Sequence, residues 1–97
     1  FKAPFNMQLV HVSCSNSTAN AGTLKIGTTS DDDAYLAAEN FGVSDAPVEV
    51  STFAGFDGAS AASQFPHIPD GTVVKLTITD HASHMAAAAV VLTFTEG

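Results

Sequence analysis

Tryptophan is absent from this chain, tyrosine and cysteine occur once each, and only three residues are basic. A lone Cys14 excludes an internal disulfide framework, and its setting among alternating residues marks it as a small strand residue. Three basic residues against ten acidic ones give a net charge of −7. Such a surface repels phosphate backbones and anionic lipid, so nucleic acid and membrane are not expected partners. No stretch approaches the roughly 18 consecutive apolar residues of a membrane span, and FKAPFNMQLV lacks the long apolar core of a secretion signal. Without tryptophan, the large core-filling groups are seven phenylalanines together with valine, leucine and isoleucine. That inventory suits a thin sandwich, and 97 residues make a single domain over 1–97.

Period-two alternation is what the chain has instead. TVVKLTIT (72–79) places Val74, Leu76 and Ile78 on one face, and AVVLTFT (89–95) does the same with Val90, Leu92 and Phe94. The two are expected to pair as a hairpin. GTLKIGT turns Leu24 and Ile26 inward around Lys25, and PVEVSTF turns Val48 and Val50 inward around Glu49. FNMQLVHVSCS is different, with Phe5, Met7, Leu9 and His11 on one face and Val10, Val12 and Cys14 on the other. A strand with apolar groups on both faces is central or covered on both sides.

The intervals between strands carry turn chemistry. SNSTANAG (15–22) reads as a polar hairpin connection. In GTTSDDDAYLAAENFG (27–42), Ser30 as N-cap, Asp33 three positions on and Gly42 as C-cap predict about two helical turns, with a strand as the alternative should tertiary context win. AGFDGASAASQFPHIPDG (54–71) is long enough to be a crossover between sheets. Together these predict an all-β fold: a two-sheet antiparallel sandwich, jelly-roll or immunoglobulin-like, with at most one short helix.

Chemistry-bearing groups are sparse. Asp80, His81 and His84 are ligand types for zinc or nickel, but structural zinc takes four protein ligands and only three are local. DHASH is better read as the exposed tip of the last hairpin. Asp31, Asp32 and Asp33 lack the alternation, glycine and closing glutamate of a calcium loop. No G-x-S-x-G elbow is present, and a core this small leaves little room for a deep cleft, so no catalytic residue, metal or cofactor is assigned. Aromatic residues outside the strand cores are the protein-contact candidates: Phe1, Phe5, Phe53, Phe56 and Phe65, with residues 1–5 a contact arm.

PHIPDGTVVKLTITDHASHMAAAAVVLTFTEG (66–97), with its Pro-x-Ile-Pro-x-Gly-Thr entry and closing VVLTFTEG, resembles the end of small β-sandwich structural proteins of tailed-bacteriophage virions. FNMQLVHVSCSNSTANAGTLKIGT is similar to their first hairpin. The resemblance implies a head decoration (cement) or fibre-type protein on the capsid surface that binds the major capsid protein or other virion proteins, assembles as a homo-oligomer and catalyses nothing. A carbohydrate-binding or adhesin module is the alternative, weakened by having only Tyr35 as a sugar-stacking ring of the usual kind.

Overall fold

The computed structural model describes residues 1–56 and 65–97. Among the described residues, seven strands form in chain order: β1 (Met7–Ser15), β2 (Thr23–Gly27), β3 (Leu36–Asn40), β4 (Val48–Val50), β5 (His67–Ile68), β6 (Lys75–Thr79) and β7 (Ala89–Glu96). They make two antiparallel sheets, one of β7, β1, β4 and β5 and the other of β3, β2 and β6. The expected two-sheet antiparallel sandwich is therefore the fold. The helix content of the described residues is one short 3-10 turn, Phe53–Gly55.

β1 is the spine of the first sheet. β7 pairs along its whole length on one side, from Met7↔Glu96 to Ser15↔Ala89. β4 and β5 share the other side, β4 on Val12, Ser13 and Cys14 and β5 on Met7 and Gln8. The pairing with β7 shifts register between Leu9 and His11, so Val10 is one extra residue in β1, a β-bulge. A bulge reverses the phase of alternation. Met7 and Leu9 before it, and Val12 and Cys14 after it, consequently all enter the core, each at 2% exposure or less. That is why the sequence shows apolar residues in both phases: the strand is half-solvated, and its two halves are out of step.

Leu24 and Ile26 of β2, Leu36 of β3 and Val74 just before β6 meet these side chains from the second sheet, with Phe41, Phe56 and Ile68 closing the ends. Fully burying each of the large residues is worth about 1.5–3 kcal/mol, whereas the surface ion pair Lys25–Asp32 is worth about 0–1 kcal/mol. Packing decides the fold.

Three connections differ from expectation. β6 and β7 are not a hairpin: β6 pairs β2 and β7 pairs β1, so residues 80–88 arch from one sheet to the other. β1 and β2 are likewise in different sheets, which makes 16–22 a second arch. Alternation sets which face of a strand is buried but not which strand lies beside it. The predicted helix is the third. Thr28 Oγ1, rather than Ser30, accepts the Asp31 N–H in a tight turn, and Leu36–Asn40 pairs with β2 as a strand that buries Leu36 in the core.

The predicted crossover does join the two sheets. Its residues 57–64 lie outside the described ones; it leaves β4 in the first sheet and leads to β6 in the second, and β5 forms on β1 within it, so the change of sheet falls after β5.

One buried polar residue ties the 16–22 arch to the segment around Gly42. Asn16 is fully buried, its amide nitrogen donating to Asn20 O (3.1 Å) and Gly42 O (3.0 Å) and its Oδ1 accepting from the Thr18 N–H (2.9 Å) and hydroxyl. Its backbone N–H also donates to Gly42 O, and Gly42 N–H returns to Cys14 O. Glycine is required at 42, since a Cβ there would run into the Ala46 carbonyl oxygen. Replacing Asn16 with alanine strands several buried groups at once. Asn16→Ala is expected to lower stability by at least about 2 kcal/mol in urea unfolding; a loss under about 0.5 kcal/mol would show that the network contributes little.

Candidate interaction surface

The N-terminal segment is held rather than free. Phe1 and Val74 exchange backbone hydrogen bonds, Lys2 bridges Val73, and Ala3 N–H donates to Thr72 O. Ala3 is buried, while the Phe1 ring is 54% exposed and meets Phe94 of β7 edge-to-face at 5.7 Å. Phe1 thus spans the sandwich on the side where β6 and β7 lie. The proposed contact arm, over residues 1–3 at least, is part of the domain wall.

The remaining aromatic candidates divide. Phe5 is half-exposed and lines an open groove of about 320 Å³ with Asn6, Asp70, Glu96 and Gly97 at the end of β7. Phe56 is buried against Phe65, ring centroids 5.8 Å apart, and Phe65 packs on the core. Phe53 begins the 3-10 turn. Phe1 and Phe5 are therefore available for contact, whereas Phe56 is used in the core.

Exposed aliphatic residues were not singled out by the sequence. Val73, Ile78 and Val91 are about half-exposed or more, at 48%, 51% and 58%. Ile78 was expected inward by parity with Val74 and Leu76, yet it is exposed near the end of β6, although its ladder partner Leu24 is buried. Val91 is on the outer face of β7 as its parity predicts.

Asp80, His81 and His84 organise the arch between β6 and β7 through hydrogen bonds. Asp80 Oδ1 accepts the N–H groups of Met85 (2.7 Å) and His81 (2.8 Å), and its Oδ2 meets His84 Nδ1 at 2.9 Å. His81 Nδ1 is occupied by the Ser83 N–H at 2.9 Å. Among the described residues, only Asp31, Asp32 and Asp33 bring three ligand atoms within 4.8 Å of one another. That trio sits on the turn before β3. There the side-chain hydrogen bond with Asp31 raises the Asp33 pKa above its ordinary value. His84 and Ala87 both have positive φ, 67° and 51°, which no right-handed α-helix contains, so the alanine run belongs to the arch and to the start of β7.

Cys14 behaves as a core residue. Burial raises its pKa, and its Sγ lies 3.8 Å from Asn40 O. Desolvation likewise raises Tyr35, whose ring packs against the core. Asn16-Ser17-Thr18 fits the acceptor pattern for N-linked sugar, but both amide hydrogens of the buried Asn16 are already donated, so the folded chain offers no acceptor there.

No family model, characterised protein or solved structure matches this chain. The site must be read from its own chemistry.

The Asp80 arch gives a direct test. The amides of Met85 and His81, with His84, hold the Asp80 pKa below the ordinary carboxylate value. A carboxyl depressed on folding adds stability above its unfolded pKa and loses it as pH falls through the folded one, so arch order should survive at pH 4, near the free value of about 3.9. Asp80→Ala should accelerate hydrogen exchange at the Met85 and His81 amides while leaving the amides of β1 unchanged. Unaltered exchange at Met85 would show that another group holds the arch.

Proposed function

We propose that this chain is a non-catalytic assembly module, and that its setting is the outer surface of a tailed-phage head, where it binds the major capsid protein and sister copies. The observation that supports an assembly role is the side of the sandwich built by Phe1, Val91 and the outer edge of β7, which presents apolar groups and unpaired backbone together. The phage setting rests on the resemblance of residues 66–97 to virion sandwich proteins.

Physical considerations favour this reading. A domain of this size is held by about 5–15 kcal/mol and gains from burying apolar surface on a neighbour, and an array of copies binds by avidity even where each contact is weak. A net charge of −7 keeps such a module off the packaged nucleic acid during assembly. The sugar-binding alternative loses support, because the Tyr35 ring packs against the core rather than forming a platform.

Virions of the phage that encodes the chain, purified through a density gradient, should contain it in a fixed ratio to the major capsid protein. Its absence from virions would refute the phage setting.

A further inference from the structure

Among the described residues, four of the five strand edges without a neighbouring strand carry a device that discourages pairing with another chain. β3 places Glu39 in a five-residue strand whose pairing with β2 is irregular. β4 is three residues long with Glu49 at its centre. β5 is two residues long between Pro66 and Pro69. β6 opens on exposed Lys75, and the N-terminal segment bridges the residues that lead into it. Short strands, charge, proline and cover are the usual protections of a sheet edge.

β7 has none of them. It is eight residues long, contains no proline, and carries no charge before Glu96. The irregularity in its ladder belongs to β1. Among the described residues, its backbone pairs only with β1, which leaves alternate N–H and C=O groups along the other side without a strand. Its core-facing Val90, Leu92 and Phe94 are only partly buried, in contrast to the fully buried Leu9 and Val12 opposite them. Both backbone and side chains lack one strand of cover.

We propose that the outer edge of β7 pairs antiparallel with β7 of a second copy, about a two-fold axis at Leu92, joining two copies through one continuous sheet. An unpaired edge of backbone groups is complemented by an extended strand, and charge selects which one. In a chain of ten acidic residues and three basic ones, most surface segments would set like charges against each other on self-association. β7 does not. Pairing about Leu92 sets Val90 opposite Phe94 and Val91 opposite Thr93, keeps core-facing residues opposite core-facing ones, and leaves Glu96 opposite the partner's Ala88. It also brings the exposed Phe1 ring, already against Phe94, over the partner's Val90.

This contact deepens the assembly reading by naming one partner, yet it depends only on the strand edge. A chain found in virions but monomeric when isolated would refute the contact and leave the phage setting standing.

The register supplies the test. Sedimentation velocity of the purified chain over a range of concentrations should show a reversible dimer. Substituting Val91→Lys with Thr93→Lys sets lysine opposite lysine twice across the axis, and the dimer's dissociation constant should rise at least about tenfold. Val91→Lys with Thr93→Glu sets lysine opposite glutamate twice and should return the dimer to within about threefold of the original. Both positions are exposed, so each variant should keep the far-ultraviolet circular dichroism of the parent. A monomeric parent, a double-lysine variant that still dimerises as tightly, or a lysine–glutamate variant as weak as the double-lysine one would each overturn the proposal.

Discussion

The extra residue in β1 is the constraint on which the rest of the structure depends. Four strands of one sheet are organised by Met7–Ser15, and three of them take their register from it. Because side chains alternate strictly along a strand, a regular β1 could bury Met7 and Leu9 or Val12 and Cys14, but not both pairs. The bulge at Val10 resolves the conflict by advancing the phase by one residue. It lets β5 and β4 pair with successive halves of one strand while both halves face the same core. Asn16 then fixes where β1 ends. It ties the arch that leaves β1 to Gly42 and so to the segment that returns as β4.

Most of the strands were legible in the sequence, and their partners were not. Alternation in GTLKIGT, PVEVSTF, TVVKLTIT and AVVLTFT reports burial of one face, which is local. Whether the next strand lies beside or across the core depends on the length and conformation of the connection. The arch at 80–88 relies on Asp80 bonding two backbone amides and on positive φ at His84 and Ala87, features that composition does not announce. Helix propensity misled at 36–40, where tertiary pairing of Leu36 outweighed the preference of Ala-Ala-Glu for a helix. The double-faced pattern of FNMQLVHVSCS marked a strand that is central or covered on both sides; β1 is central, between β7 and the pair β4 and β5, and the pattern itself comes from the phase change at the bulge. Of the contact candidates, Phe1 and Phe5 are exposed and Phe56 is buried, while Val91, on the outer face of β7, was passed over because a single outward valine is common on strands.

The same asymmetry that organises the core shapes the surface. β1 needs a long partner on one side and accepts two short ones on the other, so the sheet has one long edge and two short edges. The short ones are guarded by Glu49 and by Pro66 and Pro69, whereas the long one, β7, stands with Phe1 and Val91 beside it. The assembly role proposed for this side rests on how β1 is built, not on a separate motif.

Deleting Val10 measures the central claim most directly. With the extra residue removed, one pair of core side chains, Met7 and Leu9 or Val12 and Cys14, must face solvent. The account predicts that the deletion variant shows no cooperative unfolding transition in urea, while Val10→Ala, which keeps the residue count, still unfolds cooperatively. A Val10 deletion that unfolds cooperatively at the parent's midpoint would contradict it.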